Sequence, residues 1–126
     1  MSGFDNVVSQ YLKVWNTTDG AARREAIGEV FAEDVRYVDP LAEVEGRDAL
    51  SALIGAVHQQ FPGLVFTSGG PADAHHEQGR FTWHLGEPGG GEPLVVGFDV
   101  ASLDEAGRIR PVLGSLAMVP AAVDEG

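Results

Sequence analysis

The chain has 126 residues, 44% of them apolar, a formal net charge of −11 and no cysteine. Length and apolar content suit one globular domain spanning residues 1–126, and they exclude a disordered chain. The acidic balance repels phosphate backbones and anionic membrane surfaces, so neither nucleic acid nor membrane is an expected partner. The missing cysteines exclude disulfides, zinc–thiolate sites and thiol nucleophiles.

Residues Met1 to Asp5 carry no basic region followed by an apolar run, so no signal peptide is expected. No stretch approaches the roughly 20 apolar residues of a membrane span. The expected location is cytoplasmic. Phe4, Val7, Val8, Tyr11, Leu12 and Trp15 recur at helical spacing and predict a first helix with one apolar stripe. Asn16 to Gly20 breaks it. Thr18 or Asp19 can cap a second helix with Ala22, Ala26, Ile27, Val30 and Phe31 on its inner face. A strand follows from Val35 to Asp39, with Val35, Tyr37 and Asp39 on one side, and Pro40 ends it. Residues 42–45 predict a short strand. Leu50, Leu53, Ile54, Val57 and Phe61 predict a third helix, stopped by Pro62-Gly63.

The rest reads as strands. Leu64 to Ser68 is one. Ala72 to His76 and Arg80 to Gly86 form a hairpin around Glu77-Gln78-Gly79. The Gly- and Pro-rich segment from Glu87 to Pro93 is a hairpin tip, not a phosphate loop, because neither the phosphate-loop pattern nor a following helix is present. Leu94 to Leu103 and Arg108 to Val119 are two long strands, the second with Pro111 at an edge or a bulge. Helices first and then an antiparallel meander predict an α+β class.

Two stretches carry a resemblance. One is Phe31-Ala32-Glu33-Asp34-Val35-Arg36-Tyr37-Val38-Asp39-Pro40, followed by Gly46-Arg47-Asp48-Ala49-Leu50; the other runs from Gly97-Phe98-Asp99-Val100 to Gly107-Arg108-Ile109. Together with the element order, they resemble the nuclear transport factor 2-like superfamily, which includes SnoaL-like polyketide cyclases and ketosteroid isomerases. The resemblance implies a cone-shaped α+β barrel. Its three helices pack on a strongly curved, mostly antiparallel sheet around a pocket, and the protein is often a dimer. In ketosteroid isomerase a tyrosine and a protonated aspartic acid donate hydrogen bonds to the substrate oxygen while a second aspartate moves the proton. By motif, the resemblance places Asp39 at the position of the base, Asp99 at the oxyanion aspartate and Tyr11 at the tyrosine.

The residues themselves support a catalytic trio while leaving alternatives open. Asp99 lies in a strand that is apolar on both faces, so its carboxyl must be neutralised or hydrogen-bonded; a structural partner such as an Arg would also serve. Asp39 ends an apolar strand face, which suits proton abstraction beside a carbonyl, and an Asp-Pro turn suits it equally. Tyr11 lies on the buried stripe, and its hydroxyl needs Asp99, Asp39 or a ligand. Trp15, Tyr37, Phe61, Phe81 and Trp83 are expected as pocket wall, with His75 or His84 as a proton carrier. The histidines offer no converging ligand pair, so no metal site is expected. The predicted function is a cofactor-independent isomerase or cyclase acting on a small, apolar, ring-containing carbonyl compound. The other two readings are a ligand-binding module without chemistry and a dimerising scaffold. Few cations stand near the wall, and Arg23 is placed at the surface with the other basic residues. Leu94, Val96, Phe98 and Val100 form a second apolar face on one strand, which predicts a homodimer.

Overall fold

The structure, a computed structural model, describes residues 3–118. Helix α1 spans Gly3–Asn16 and buries Phe4, Val8, Tyr11, Leu12 and Trp15, the stripe that the spacing predicts, together with Val14. Asp19 caps α2, Gly20–Val30, by accepting from the Ala22 N–H at 2.9 Å. Phe31 does not extend this helix; it opens strand β1, Phe31–Val38. Strand β2, Glu43–Glu45, helix α3, Arg47–Gln60, and strand β3, Val65–Ser68, follow. Strands β4, Asp73–His75, and β5, Gln78–Gly86, form a hairpin in which His75 pairs with Gln78. Its turn is therefore at His76-Glu77, with His76 at a φ of 56°, one step earlier than the sequence suggests. Strands β6, Val95–Leu103, and β7, Ile109–Met118, are the last of the described elements; Val119, assigned above to the last strand, lies outside the described residues.

Among the described residues, seven strands make one curved sheet in the order β2-β1-β7-β6-β5-β3, with β4 attached to β5. The sheet is mostly antiparallel, but it is not a pure meander, because β1 pairs with β7 in parallel. This crossover places β7 in the interior of the sheet. Pro111 therefore sits at an irregularity rather than an edge: the β6–β7 register shifts between Ala101 and Leu103, opposite residues 109–112.

The helices cover the concave face and the core lies between the layers. Burial alternates along β6 and β5, so Phe81, Trp83 and Leu85 point inward with Val95, Gly97, Asp99 and Ala101. Arg23 is a correction to the sequence reading. It is buried, with its guanidinium donating to Ser51 Oγ at 3.1 Å and to the Thr17 and Thr18 carbonyls at 3.1 and 3.3 Å. It stands on the α2 face that packs on α3 and is satisfied there by polar groups rather than by an acid. Gly55 on α3 leaves room for it, since a Cβ there would stand 3.0 Å from the guanidinium. No helix among the described residues is long and apolar enough to cross a membrane.

Candidate active site

The sheet register brings the two aspartates together. Val38 at the end of β1 pairs with Leu113, so Asp39, the next residue, falls beside Gly114. From the other side, β6 pairs Asp99 directly with Gly114. A Cβ added to Gly114 would stand 2.7 Å from Asp99 Oδ1 and 3.4 Å from Asp39 Cβ. The Asp99 carboxyl and the Asp39 side chain, at its Cβ, thus flank one notch that exists because residue 114 has no side chain. The sequence reading missed Gly114, since nothing local marks it.

Asp99 is 1% exposed and accepts two side-chain hydrogen bonds. The Tyr11 hydroxyl donates to Oδ2 at 2.5 Å and the Trp83 indole N–H to Oδ1 at 3.2 Å. Burial pushes its pKa up to about 6, the two hydrogen bonds oppose this, and the Asp39 charge adds to it. Trp83 reaches Asp99 by lying flat over Gly97, where a Cβ would come within 2.2 Å of the indole ring. The Tyr11 hydroxyl is held well above its ordinary pKa by burial first and by the Asp99 charge second, so it is a hydrogen-bond donor and not an acid.

Asp39 is half-buried and more fully bonded than expected. The Tyr37 hydroxyl donates to its Oδ2 at 2.7 Å, while its Oδ1 accepts the backbone N–H groups of Leu41 and Ala42, both at 2.8 Å. The residue therefore closes the Asp-Pro turn and also points into the site. Burial, then the charges of Asp99 and Asp39, raise the Tyr37 pKa. Tyr37, expected as wall, is also the partner of the candidate base; its i, i+2 placement on the Asp39 strand face is the signal for that contact.

These groups stand in a cavity of about 100 Å³ that includes Tyr11, Trp15, Tyr37, Asp39, Phe61, Trp83 and Asp99 in its lining. All seven were expected at the site. Leu85 and Val95, which share strand faces with Trp83 and Asp99, also line it, and Phe66 and Leu116 are walls that the sequence did not mark. The Trp15 indole N–H is buried and has no hydrogen-bond partner among the described residues. No Lys, Arg or His lines the cavity among the described residues.

Two expected wall residues are elsewhere. Phe81 is 2% exposed and does not line the cavity; its ring stands edge-on to that of Tyr11, which does, at 5.0 Å. His75 is exposed on β4 and contacts Gln78 at 3.0 Å. The short β4 pairs only with the start of β5, away from the strand segments that wall the cavity.

The family model described as a SnoaL-like domain matches residues 8–111. The solved structures similar to this chain include one from Agrobacterium tumefaciens, described as a "putative isomerase of the SnoaL-like family". It is 41% identical, with a TM-score of 0.84 over 90% of this chain and 96% of that one. A SnoaL-like protein of unknown function from Burkholderia thailandensis is similar at 15% identity and a TM-score of 0.70, over 94% of this chain and 99% of that one. A "putative polyketide cyclase" from Sinorhizobium meliloti is similar at 17% identity and a TM-score of 0.68, over 90% and 99% of the two chains. At those identities the last two speak for the fold alone. No curated protein matches the chain.

Proposed function

We propose that this chain, which belongs to the SnoaL-like domain family, binds a small neutral carbonyl compound and moves a proton at the carbon beside the carbonyl. The observation that carries this reading is the convergence of Asp39 and Asp99 on the Gly114 notch of an otherwise apolar cavity. In the proposed reaction the substrate C–H bond breaks and its proton goes to the Asp39 carboxylate. Oδ2 is the atom for this role, because Oδ1 already accepts two backbone N–H groups. The electron pair moves through the new C=C bond onto the carbonyl oxygen. Protonated Asp99 donates a hydrogen bond to that developing oxyanion, and Asp39 then returns the proton to carbon. The balance closes without a co-reactant, so the proposed chemistry calls for no cofactor.

The raised pKa of Asp99 supports its part, since about 6 leaves a protonated fraction near neutral pH. The unpartnered Trp15 N–H, one helical turn from Tyr11, offers a second donor for a ligand oxygen. A cavity lining without a cation favours neutral ligands over phosphates or carboxylates. A second reading, a binding module of the same fold, draws on the three hydrogen bonds that Asp39 already accepts, because they weaken it as a base. We also propose a homodimer through the outer face of β6 and β7, where Phe98 lies under the Arg80 guanidinium at 4.7 Å and Leu113 is 55% exposed.

The deciding experiment follows deuterium from solvent into cyclohexanone by NMR, with wild-type protein and Asp39→Asn. Exchange beside the carbonyl that disappears in a folded Asp39→Asn variant supports catalysis. Equal exchange in both removes Asp39 from the mechanism. A thermal shift with cyclohexanone or phenol but no catalysed exchange selects the binding module, and stabilisation by nucleotides instead overturns the ligand class.

A further inference from the structure

Leu41 is an anomaly among the residues that line the cavity. It is 74% exposed, yet it belongs to the lining, as do Leu53, Val57, Gln60 and Phe61 from α3 and the segment after it. It does not wander there. Its backbone N–H is held by Asp39 Oδ1 at 2.8 Å, and the Asp39 N–H donates to the Ala42 carbonyl at 2.9 Å, so the turn fixes Leu41 at the mouth. Any residue but proline at position 41 would keep that backbone bond, and a polar one would avoid exposing a large apolar side chain to water. The chamber itself is small. At about 100 Å³, it is smaller than the roughly 150 Å³ cavity that encloses one benzene ring. A ligand of more than one ring must therefore emerge through the mouth.

From these two observations we infer that Leu41 is a specificity-determining residue, contacting an apolar extension of the ligand outside the chamber. This rests on the proposed carbonyl-binding site. The substrate class it implies has two parts. A carbonyl head no larger than a single ring enters between Asp39 and Asp99, and an apolar alkyl or second-ring extension lies across Leu41 and Phe61. Asp39 then serves both ends: Oδ2, which accepts from the Tyr37 hydroxyl, is the proposed proton acceptor, and Oδ1 holds the backbone N–H of Leu41. The exposed Leu41 is then covered when the site is filled.

The test is a homologous series from phenol to 4-butylphenol, with the phenolic oxygen standing in for the enolate, measured by calorimetry on wild type, Leu41→Ser and Leu41→Met. Each methylene that Leu41 covers should tighten binding by up to about fourfold in wild type. Leu41→Ser should cut the gain per methylene to less than half of that, and Leu41→Met should restore it. The gain is read within each variant, so a change in binding of the head cancels. Phenol binding with no gain along the series, or with the same gain in Leu41→Ser, overturns the inference and leaves the carbonyl site standing. If Leu41→Ser shifts the sedimentation coefficient and not the gain, a second copy of the chain covers Leu41 and the inference is again wrong. If phenol itself fails to bind the wild type, the carbonyl site falls and the inference falls with it.

Discussion

Replacing Asp99 by Asn should flatten one specific part of the stability–pH profile. Its carboxyl titrates at an ordinary 3.8 when unfolded and at about 6 when folded, chiefly because burial disfavours the charged form. The folded state therefore holds the proton more tightly. The stability Asp99 contributes is fully present below about pH 4 and is lost as pH rises through the folded value near 6. The difference between 3.8 and about 6 corresponds to about 3 kcal/mol, or a melting change of roughly 10 °C for a domain of this size. Asn has no ionised form, and it fits the site. Its carbonyl can accept from the Trp83 N–H and its amide can donate to the Tyr11 oxygen, replacing the two bonds the carboxyl accepts. Urea unfolding of both proteins at pH 4, 5, 6, 7 and 8 gives the difference in free energy, which cancels the other carboxylates. Asp99→Asn should gain on the wild type steadily between pH 4 and about pH 6.5 and hold its advantage above that. A difference that stays flat across this range would show that Asp99 is not a desolvated carboxyl. A difference that moves the opposite way would show an ionised structural partner, and would remove Asp99 as a donor to an oxyanion.

Three further expectations rest on separate contacts. Gly114→Ala places a Cβ 2.7 Å from Asp99 Oδ1, so it should cost about 1–3 kcal/mol and abolish the phenol-induced thermal shift; an unchanged shift would show that the notch is not the binding point. Arg23→Ala removes the donors of Ser51 and of the Thr17 and Thr18 carbonyls, which should lower stability by about 2 kcal/mol by urea unfolding without changing phenol affinity. Phe98→Glu charges the outer apolar face and should convert a dimer to a monomer in sedimentation velocity at micromolar concentration; a wild-type monomer at that concentration would refute the proposed pairing.

The sequence made the elements and the carboxyl pair legible, but not the reason the pair meets. Helical and strand periods are local, so the stripe of α1 and the alternation of β6 could be read directly, and both put Tyr11 and Asp99 inside. Burying Asp99 in an apolar strand already demanded a partner, and Tyr11 and Trp83 are those partners. Strand-face parity, however, cannot say which inward residue reaches a cavity. Phe81 and Trp83 share a face, yet Trp83 lines the cavity while Phe81 packs edge-on against Tyr11, a tertiary contact that strand parity does not encode. His75 failed for a similar reason, because the reach of β4 depends on its pairing and not on its composition. The most consequential gap was the parallel pairing of β1 with β7. A meander would leave Asp39 on a strand with no defined neighbour in the second half of the chain. The crossover instead aligns Asp39, Gly114 and Asp99 across three adjacent strands. Any residue at 114 with a side chain would fill the space between the Asp99 carboxyl and the Asp39 side chain. The chemistry proposed here therefore depends as much on the missing Cβ of Gly114 as on either aspartate, and a missing atom has no period or motif by which to be read.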